Sequence, residues 1–500
     1  MTRSSSLIAF LLLLCAGDLQ ARTIEVEPGG VYSNLEAAAA IVVPGDTILF
    51  RGGVYAGGQY VERLQGREDA WITIMAAPGE ETIVRGGGNG WQLVDGAYIR
   101  CIGFVIEGQT GNGWNFDDGG SYDTPARHIV IERCEWRGIE ATGNNDLLKL
   151  SGLDSFEVRG CSFHDGAAGG SMVDMVGCHD GLFINNRFER AGSNAIQAKG
   201  GSSDIRIERN TFIDGGQRGI NIGGSTGLQF FRPSGVPYES AEIRVYSNLF
   251  VRSQAPVAFV GTVNSEVVNN TIWLPGKWAI RILQETTEPG FLQCGDNIFR
   301  NNIVVVDNAA ANPTLNIGSN TRPETFTFSN NLWYNIQNGG WGGPNLPSAE
   351  IGGIIGSDPL LVAPPNSFSL LDGSPAIGKG YQVSEPALDY LGRPFAEPRS
   401  IGAIERSRST LSVDGNAAET RITVTLDRGV IRIDGPPTHD GIGDIALYDL
   451  RGVCVRRYEG RSFARERPIA IPVDDVSPGI YLCLVRGALI SFARLIPILQ

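Results

Sequence analysis

Apolar and polar positions alternate along most of the chain in short runs punctuated by Gly, Asn and Asp. A phrase of the form apolar, any, apolar, any, any, Asn or Cys, any, aromatic or aliphatic recurs, as in Ile129-Val-Ile131-Glu-Arg-Cys134-Glu-Trp136 and Ile205-Arg-Ile207-Glu-Arg-Asn210-Thr-Phe212. Its copies centre on Cys134, Cys161, Asn186, Asn210, Asn248, Asn270, Asn302 and Asn331, which advance by 27, 25, 24, 38, 22, 32 and 29 residues. Each advance fits one coil of a solenoid, lengthened here and there by an insertion. Alternation of period two predicts strands, and an Asn at the same corner of every coil can hydrogen-bond to the next, forming a ladder. These asparagines are therefore expected to be structural. Cys134 and Cys161 occupy the same corner and are expected to pack as small buried side chains rather than to bond covalently.

The phrase accounts for two strands per coil, so a third must lie between successive copies. The triplets Leu148-Lys149-Leu150, Val173-Asp174-Met175, Ile196-Gln197-Ala198, Ile220-Asn221-Ile222, Val257-Ala258-Phe259 and Ile280-Arg281-Ile282 fit it. Parity points the middle residue of each outward. The outward column is then Lys149, Asp174, Gln197, Asn221, Ala258 and Arg281, with Lys199 two residues along from Gln197. Two long insertions, 228–240 and 285–296, follow strands of this sheet and should wall the column. The first carries Phe230, Phe231, Arg232, Tyr238 and Glu239, a set suited to gripping sugar rings.

Composition narrows the setting. Gly at 66 of 500, charged residues at 19% and an apolar fraction of 42% suit a turn-rich all-β chain. Residues 1–21 read as a secretory signal peptide, with a basic start and an apolar run too short to span a bilayer. No later segment is apolar for long enough to act as a transmembrane anchor. The seven cysteines beyond the leader are scattered, and none forms a C-x-x-C pair, so neither a disulfide framework nor a zinc site is expected. A net charge of -13 speaks against nucleic acid as a partner and requires a local cationic groove for any polyanionic substrate. Lysine is scarce: Lys149, Lys199, Lys277 and Lys379 are the only four among 41 basic residues. Two lie on the outward face and a third leads into Trp278-Ala-Ile-Arg281.

The flanks fit a capped solenoid. Thr23-Ile-Glu-Val-Glu-Pro-Gly-Gly, a predicted helix over 33–40, and Pro44 to Tyr55 open it; Asp358-Pro-Leu-Leu, Ser374-Pro-Ala-Ile-Gly and Ile401-Gly-Ala-Ile-Glu405 close it. With these phrases, residues 22–406 resemble the secreted pectate-lyase-like, right-handed parallel β-helix proteins of bacteria. The resemblance implies an all-β, three-sheet solenoid with N- and C-terminal caps and a substrate groove along the sheet that carries the outward column. From 407 to 500, evenly spaced short strands such as Arg421 to Leu426 and Val430 to Ile433 predict a small β-sandwich. Its Leu447 to Gly452 and Ser477-Pro-Gly-Ile-Tyr481 resemble the C-terminal sorting domains of type IX secretion, which implies secretion machinery as a partner. A carbohydrate-binding or spacer module is the alternative.

Three functions compete for the face. In a lyase cleaving a uronate-containing glycan by β-elimination, Lys199 is the candidate base, its pKa lowered by neighbouring positive charge. Arg218 or Arg281 would neutralise the sugar carboxylate, and Asn221 and Gln197 would orient the ring. Lys149, Asp174, Arg232, Tyr238 and Glu239 complete the expected substrate-binding set. Gln197-Ala-Lys199-Gly through Phe212 resembles the alginate and chondroitin lyases of this fold, but Gly192-Ser-Asn194 stands where that group carries acidic calcium ligands. A glycoside hydrolase needs paired carboxylates, and the column offers only Asp174. A non-catalytic glycan-binding or structural surface solenoid is the third reading. No cofactor is required by these readings; Asp117, Asp118 and Asp123 could hold calcium, and no histidine spacing suggests a metal. The expected partner is an extracellular polysaccharide, met by a monomer that is secreted or held at the cell surface.

Overall fold

The computed structural model describes residues 21–121, 124–307 and 313–406, and beyond them 423–427, 430–434, 441–448, 454–463, 469–472, 479–487 and 491–498. The leader expected over 1–21 lies, but for its last residue, outside the described residues. The chain divides into two units between Ser407 and Arg408.

The first unit is an all-β solenoid of three parallel sheets. Each coil contributes one strand to each sheet, as in Ser202–Glu208, Thr211–Ile213 and Arg218–Gly223. In the first two sheets the strands fall where the repeated phrase put them. The Asn/Cys ladder stands at the corner between those sheets. The Asn186 N–H donates to Asn210 Oδ1 (2.9 Å), Asn210 N–H to Asn248 Oδ1 (2.8 Å), and Asn248 N–H to Asn270 Oδ1 (2.8 Å). Upstream, the Cys161 N–H donates to Asn186 Oδ1 at 2.9 Å, and downstream Glu350 Oε1 accepts from Asn331 N–H at 2.9 Å and ends the run. Just before the ladder, Asn185, Arg209, Ser247, Asn269, Asn301 and Asn330 adopt φ between 52° and 57°. Asn tolerates this left-handed conformation better than most side chains, which helps to explain the paired asparagines of the phrase. Inside, the aromatic member of each phrase stacks on the next. Ring centroids of Trp136, Phe163, Phe188, Phe212 and Phe250 follow one another at 4.6, 4.9, 4.9 and 4.8 Å, the spacing of adjacent strands. The cysteines at 134, 161 and 178 are free and buried.

The flanking phrases adopt two arrangements. At the N-terminus the helix is Leu35–Ala39, capped by Asn34 Oδ1 accepting from the Ala37 N–H at 2.9 Å. At the other end the chain turns back, and Leu361, Phe368, Leu370, Ile401, Ala403 and Ile404 pack against Leu249, Val251, Ile303, Val305 and Leu332 of the second sheet. This segment therefore covers a flank of the solenoid as well as closing it. The outer face of the third sheet is left to the two insertions.

The described strands of the second unit form one antiparallel sheet of three strands and one of four, from Thr423–Asp427 to Ser491–Ile498. No helix among the described residues is long and apolar enough to cross a membrane.

Candidate functional site: a charged cleft on the third sheet

The register of the third sheet is the one the triplets require. Lys149 pairs with Asp174, Asp174 with Gln197, Gln197 with Asn221, Asn221 with Ala258, and Ala258 with Arg281. The column continues to Asn115 on one side and to Asn316 on the other. Exposure departs from the expectation: Asp174, Asn221 and Ala258 are buried. Parity selects the outer face, but neighbouring long side chains and the two insertions fold over it.

The insertions are tied to each other and to the strands by one carboxylate. Glu239 is fully buried and accepts from the N–H groups of Gly200 (3.0 Å) and Thr226 (2.9 Å), from Thr226 Oγ1 (2.8 Å) and from Thr286 Oγ1. Phe231 meets Phe291 edge to face at 5.4 Å across the same two segments. Arg232, also buried, spans Asp154 with bonds of 2.7 and 2.9 Å and reaches the Gly177 carbonyl at 3.0 Å. Burial opposes ionisation of Asp154, yet hydrogen bonds from His179 and Arg232 hold it down at about 2. Tyr238 is half-buried beside Ser203 and Glu242, on the side of the first sheet. Of the three residues expected to face a ligand, Glu239 ties the walls together, Arg232 is held by Asp154 while lining the cavity that Lys149 and Lys199 also line, and Tyr238 stands off the column.

Two groups of polar side chains remain along the face. In the first, Lys149 forms ion pairs with Asp174 and with Asp146 (3.4 Å), and Lys199 Nζ lies 3.1 Å from Asp174 Oδ1. Asp174 is buried, but the two ammonium groups outweigh the cost and hold it below the usual carboxylate range. Burial and the charge of Asp174 push Asp146 up to about 6. Lys149 is raised, the charges of Asp174 and Asp146 prevailing over its own burial. Next to these groups a cavity of about 450 Å³ is lined by Lys149, Lys199, Asp117, Asp118, Thr226 and Phe230 among others. Gly224 keeps the approach open: a Cβ there would strike Gln197 Nε2 at 2.5 Å and crowd Lys199 Cδ at 3.3 Å. Gln197 itself accepts from Asn194 Nδ2 at 3.1 Å.

The second group begins at Arg218, which donates to Asn221 Oδ1 at 3.1 Å and to Glu285 Oε1 at 2.6 Å. Arg281 donates to Asn316 Oδ1 at 3.0 Å and lies 4.5 Å over the Trp278 ring, which also carries Lys277 at 4.2 Å. Burial and the charge of Arg218 depress the Arg281 guanidinium below its usual value. Beneath them, the buried Asn221 Nδ2 finds no acceptor among the described residues.

Lys199 and Arg281 therefore share a sheet, but three coils and two residues separate their Cα atoms by about 16 Å. Lys199 points toward Asp174, away from Arg281. The positive neighbour nearest Lys199 is Lys149, and the Asp174 carboxylate that both lysines share lies between the two ammonium groups. Asn221 stands between the groups, with the Arg218 guanidinium on its side chain and the Lys199 Cα about 8 Å from its own. Sequence reasoning missed Asp146, Glu285 and Asn316, of which only Asn316 carried a signal, as the next outward residue of the column. Asp117, read only as a calcium candidate, aligns through Ser151 and Val176 with Lys199. Asp117 and Asp118 accept from the amides of Gly119 and Gly120, and Asp123 lies outside the described residues. No cluster of three or more metal-ligating side chains stands ready among the described residues.

Fold and site together define a parallel β-helix whose third sheet carries a cleft of paired basic and acidic side chains, with two neighbouring arginines at one end. Residues 93–272 match the family model described as the right handed beta helix region. No curated protein matches. Among solved structures, a pectate lyase is similar at 15% identity, over 77% of this chain and 96% of that one, with a TM-score of 0.48. An alginate lyase from a Paenibacillus species follows at 16% identity, over 67% of this chain and 99% of that one, with a TM-score of 0.41. A rhamnogalacturonan lyase is 13% identical over 62% of this chain and 87% of that one, with a TM-score of 0.45. Likenesses this remote carry no weight for the chemistry of this chain.

Proposed function

We propose that the protein is a secreted, polysaccharide-active β-helix that binds a uronate-containing glycan along the third sheet and cleaves it by β-elimination. The supporting observation is the pair Arg218 and Arg281, set beside the unsatisfied Asn221 amide and the Trp278 ring, in a chain of net charge -13. Two neighbouring guanidinium groups with one carboxylate contact between them form a ready seat for a sugar carboxylate. Neutralising that carboxylate acidifies the adjacent C5–H. A ring seated over Asn221 would present its carboxylate to Arg218 and its C5 proton toward Lys199. Lys199 acts as base after its side chain leaves Asp174, releases its proton to solvent and swings across Gly224; it takes the C5 proton as the C4–C5 double bond forms and the C4–O bond breaks, and water protonates the departing oxygen. The Asp146 and Asp174 carboxylates are too deeply buried to touch a sugar, which disfavours a hydrolase built on them.

The resting ion pair of Lys199 with Asp174 favours a second reading, in which cleft and walls only bind the glycan. Incubation with a panel of uronate and neutral polysaccharides decides between them. Elimination creates an unsaturated sugar that absorbs in the ultraviolet. Rising absorbance supports the lyase; binding without absorbance or new reducing ends supports the non-catalytic solenoid; reducing ends alone identify a hydrolase. In this proposal the C-terminal unit either directs the protein through secretion machinery or adds a carbohydrate-binding module.

A further inference from the structure

We infer that Glu285 is an internal occupant of the carboxylate seat, which an incoming acidic sugar must displace, and that it thereby sets the specificity of the cleft. This rests on the acidic-glycan reading above. Glu285 lies in the second insertion, just beyond the strand Ile280–Leu283, and its Oε1 accepts from Arg218 Nη2 at 2.6 Å. Its side chain is 34% exposed, whereas that of Arg218 is 15% exposed. The guanidinium is thus a fixed part of the floor, and the carboxylate is the partner that can leave.

The neighbouring cations and the ring beside them favour an acidic sugar at this seat over its present occupant. Burial, and after it the charge of Arg218, depress Arg281, so the two guanidinium groups still act on each other with one glutamate between them. Asn221 gives its oxygen to Arg218 and so fixes the guanidinium in the floor, its own Nδ2 being buried beneath. Trp278, already under Arg281 and Lys277, adds an apolar edge for a ring. Glu239 anchors the insertion next to Glu285 through Thr286, so Glu285 can turn out while its backbone stays in place. A neutral sugar offers nothing to replace the carboxylate on Arg218 and would leave the latch closed.

The test compares wild type, Glu285→Gln and Arg281→Ala by calorimetric titration with short oligomers of galacturonate, guluronate, mannuronate and glucuronate. Glu285→Gln keeps the shape and removes the competing charge. A partly exposed ion pair sets the competition, so the variant should bind the preferred oligouronate about two- to five-fold more tightly. Arg281→Ala should bind more weakly than wild type. Binding to Glu285→Gln alone also supports the latch. If wild type binds and Glu285→Gln binds equally or less well, Glu285 is a support or a ligand contact, and the latch is refuted while the acidic-glycan reading stands. If no oligouronate binds wild type or Glu285→Gln, that reading falls and the latch with it.

Discussion

Replacing Asn210 by Ala tests whether the corner ladder holds the solenoid. Asn210 Oδ1 accepts from the Asn186 N–H at 2.9 Å and from Asn186 Nδ2 at 3.0 Å, and its own Nδ2 donates to the Phe183 carbonyl at 3.0 Å and to Asn248 Oδ1 at 3.1 Å. Alanine leaves the buried Asn186 N–H without an acceptor. It also takes one bond each from the Asn186 amide, the Phe183 carbonyl and Asn248 Oδ1. An orphaned buried donor costs about 1–3 kcal/mol and each of the three other lost bonds about 1 kcal/mol, so the variant should be destabilised by about 4–6 kcal/mol. Stability in a solenoid is carried by neighbouring coils, so the loss should appear in the cooperative unit that contains this coil. Urea denaturation followed by far-ultraviolet circular dichroism measures it, as a lowered midpoint with an unchanged slope. The ladder lies away from the third sheet, so affinity for any glycan should change little. A loss below about 0.5 kcal/mol would refute the account, since it would place Asn210 outside a satisfied buried ladder.

Other outcomes follow from the same geometry. Lys199→Arg should abolish turnover while sparing binding, because a guanidinium does not release its proton at working pH; full activity would remove Lys199 from the base role. Asp146 holds its proton up to about pH 6 in the folded state, against 3.8 for the ordinary carboxyl. Between those values the folded protein binds the proton that the unfolded chain has released, so stability should fall as pH rises through the window. Asp146→Asn should remove that fall in urea midpoints, and an unchanged slope would assign it to other groups. Truncation after Arg406 should leave a cooperatively melting β-helix, since the sheets on either side of the boundary lie in separate units; an insoluble or non-cooperative product would place the boundary elsewhere.

The column and the ladder were legible because both are periodic. Asn or Cys at one corner, an alternating triplet between successive corners, and strand parity suffice to place Lys149, Asp174, Gln197, Asn221 and Arg281 in one line. What covers the line was not legible, because it depends on contacts between segments far apart in sequence. Arg232 meets Asp154 across 78 residues, Glu239 reaches Gly200 across 39, and Arg218 finds Glu285 across 67. Such pairings have no period and no register. For the same reason the sequence could mark Arg232 and Glu239 as polar residues of an insertion but could not tell an internal tie from a ligand contact. Lys199 illustrates the limit most sharply. Its face was readable from parity, while the charge beside it depended on the preceding coil presenting Asp174 at a distance of 3.1 Å.

The most direct test of the central claim is a crystal structure of the protein with a bound oligouronate. A sugar carboxylate within hydrogen-bonding distance of Arg218 or Arg281, with Glu285 turned away and the ring over Asn221, is the predicted result. An oligosaccharide seated on the first or second sheet, with the Arg218–Glu285 ion pair intact, would contradict it.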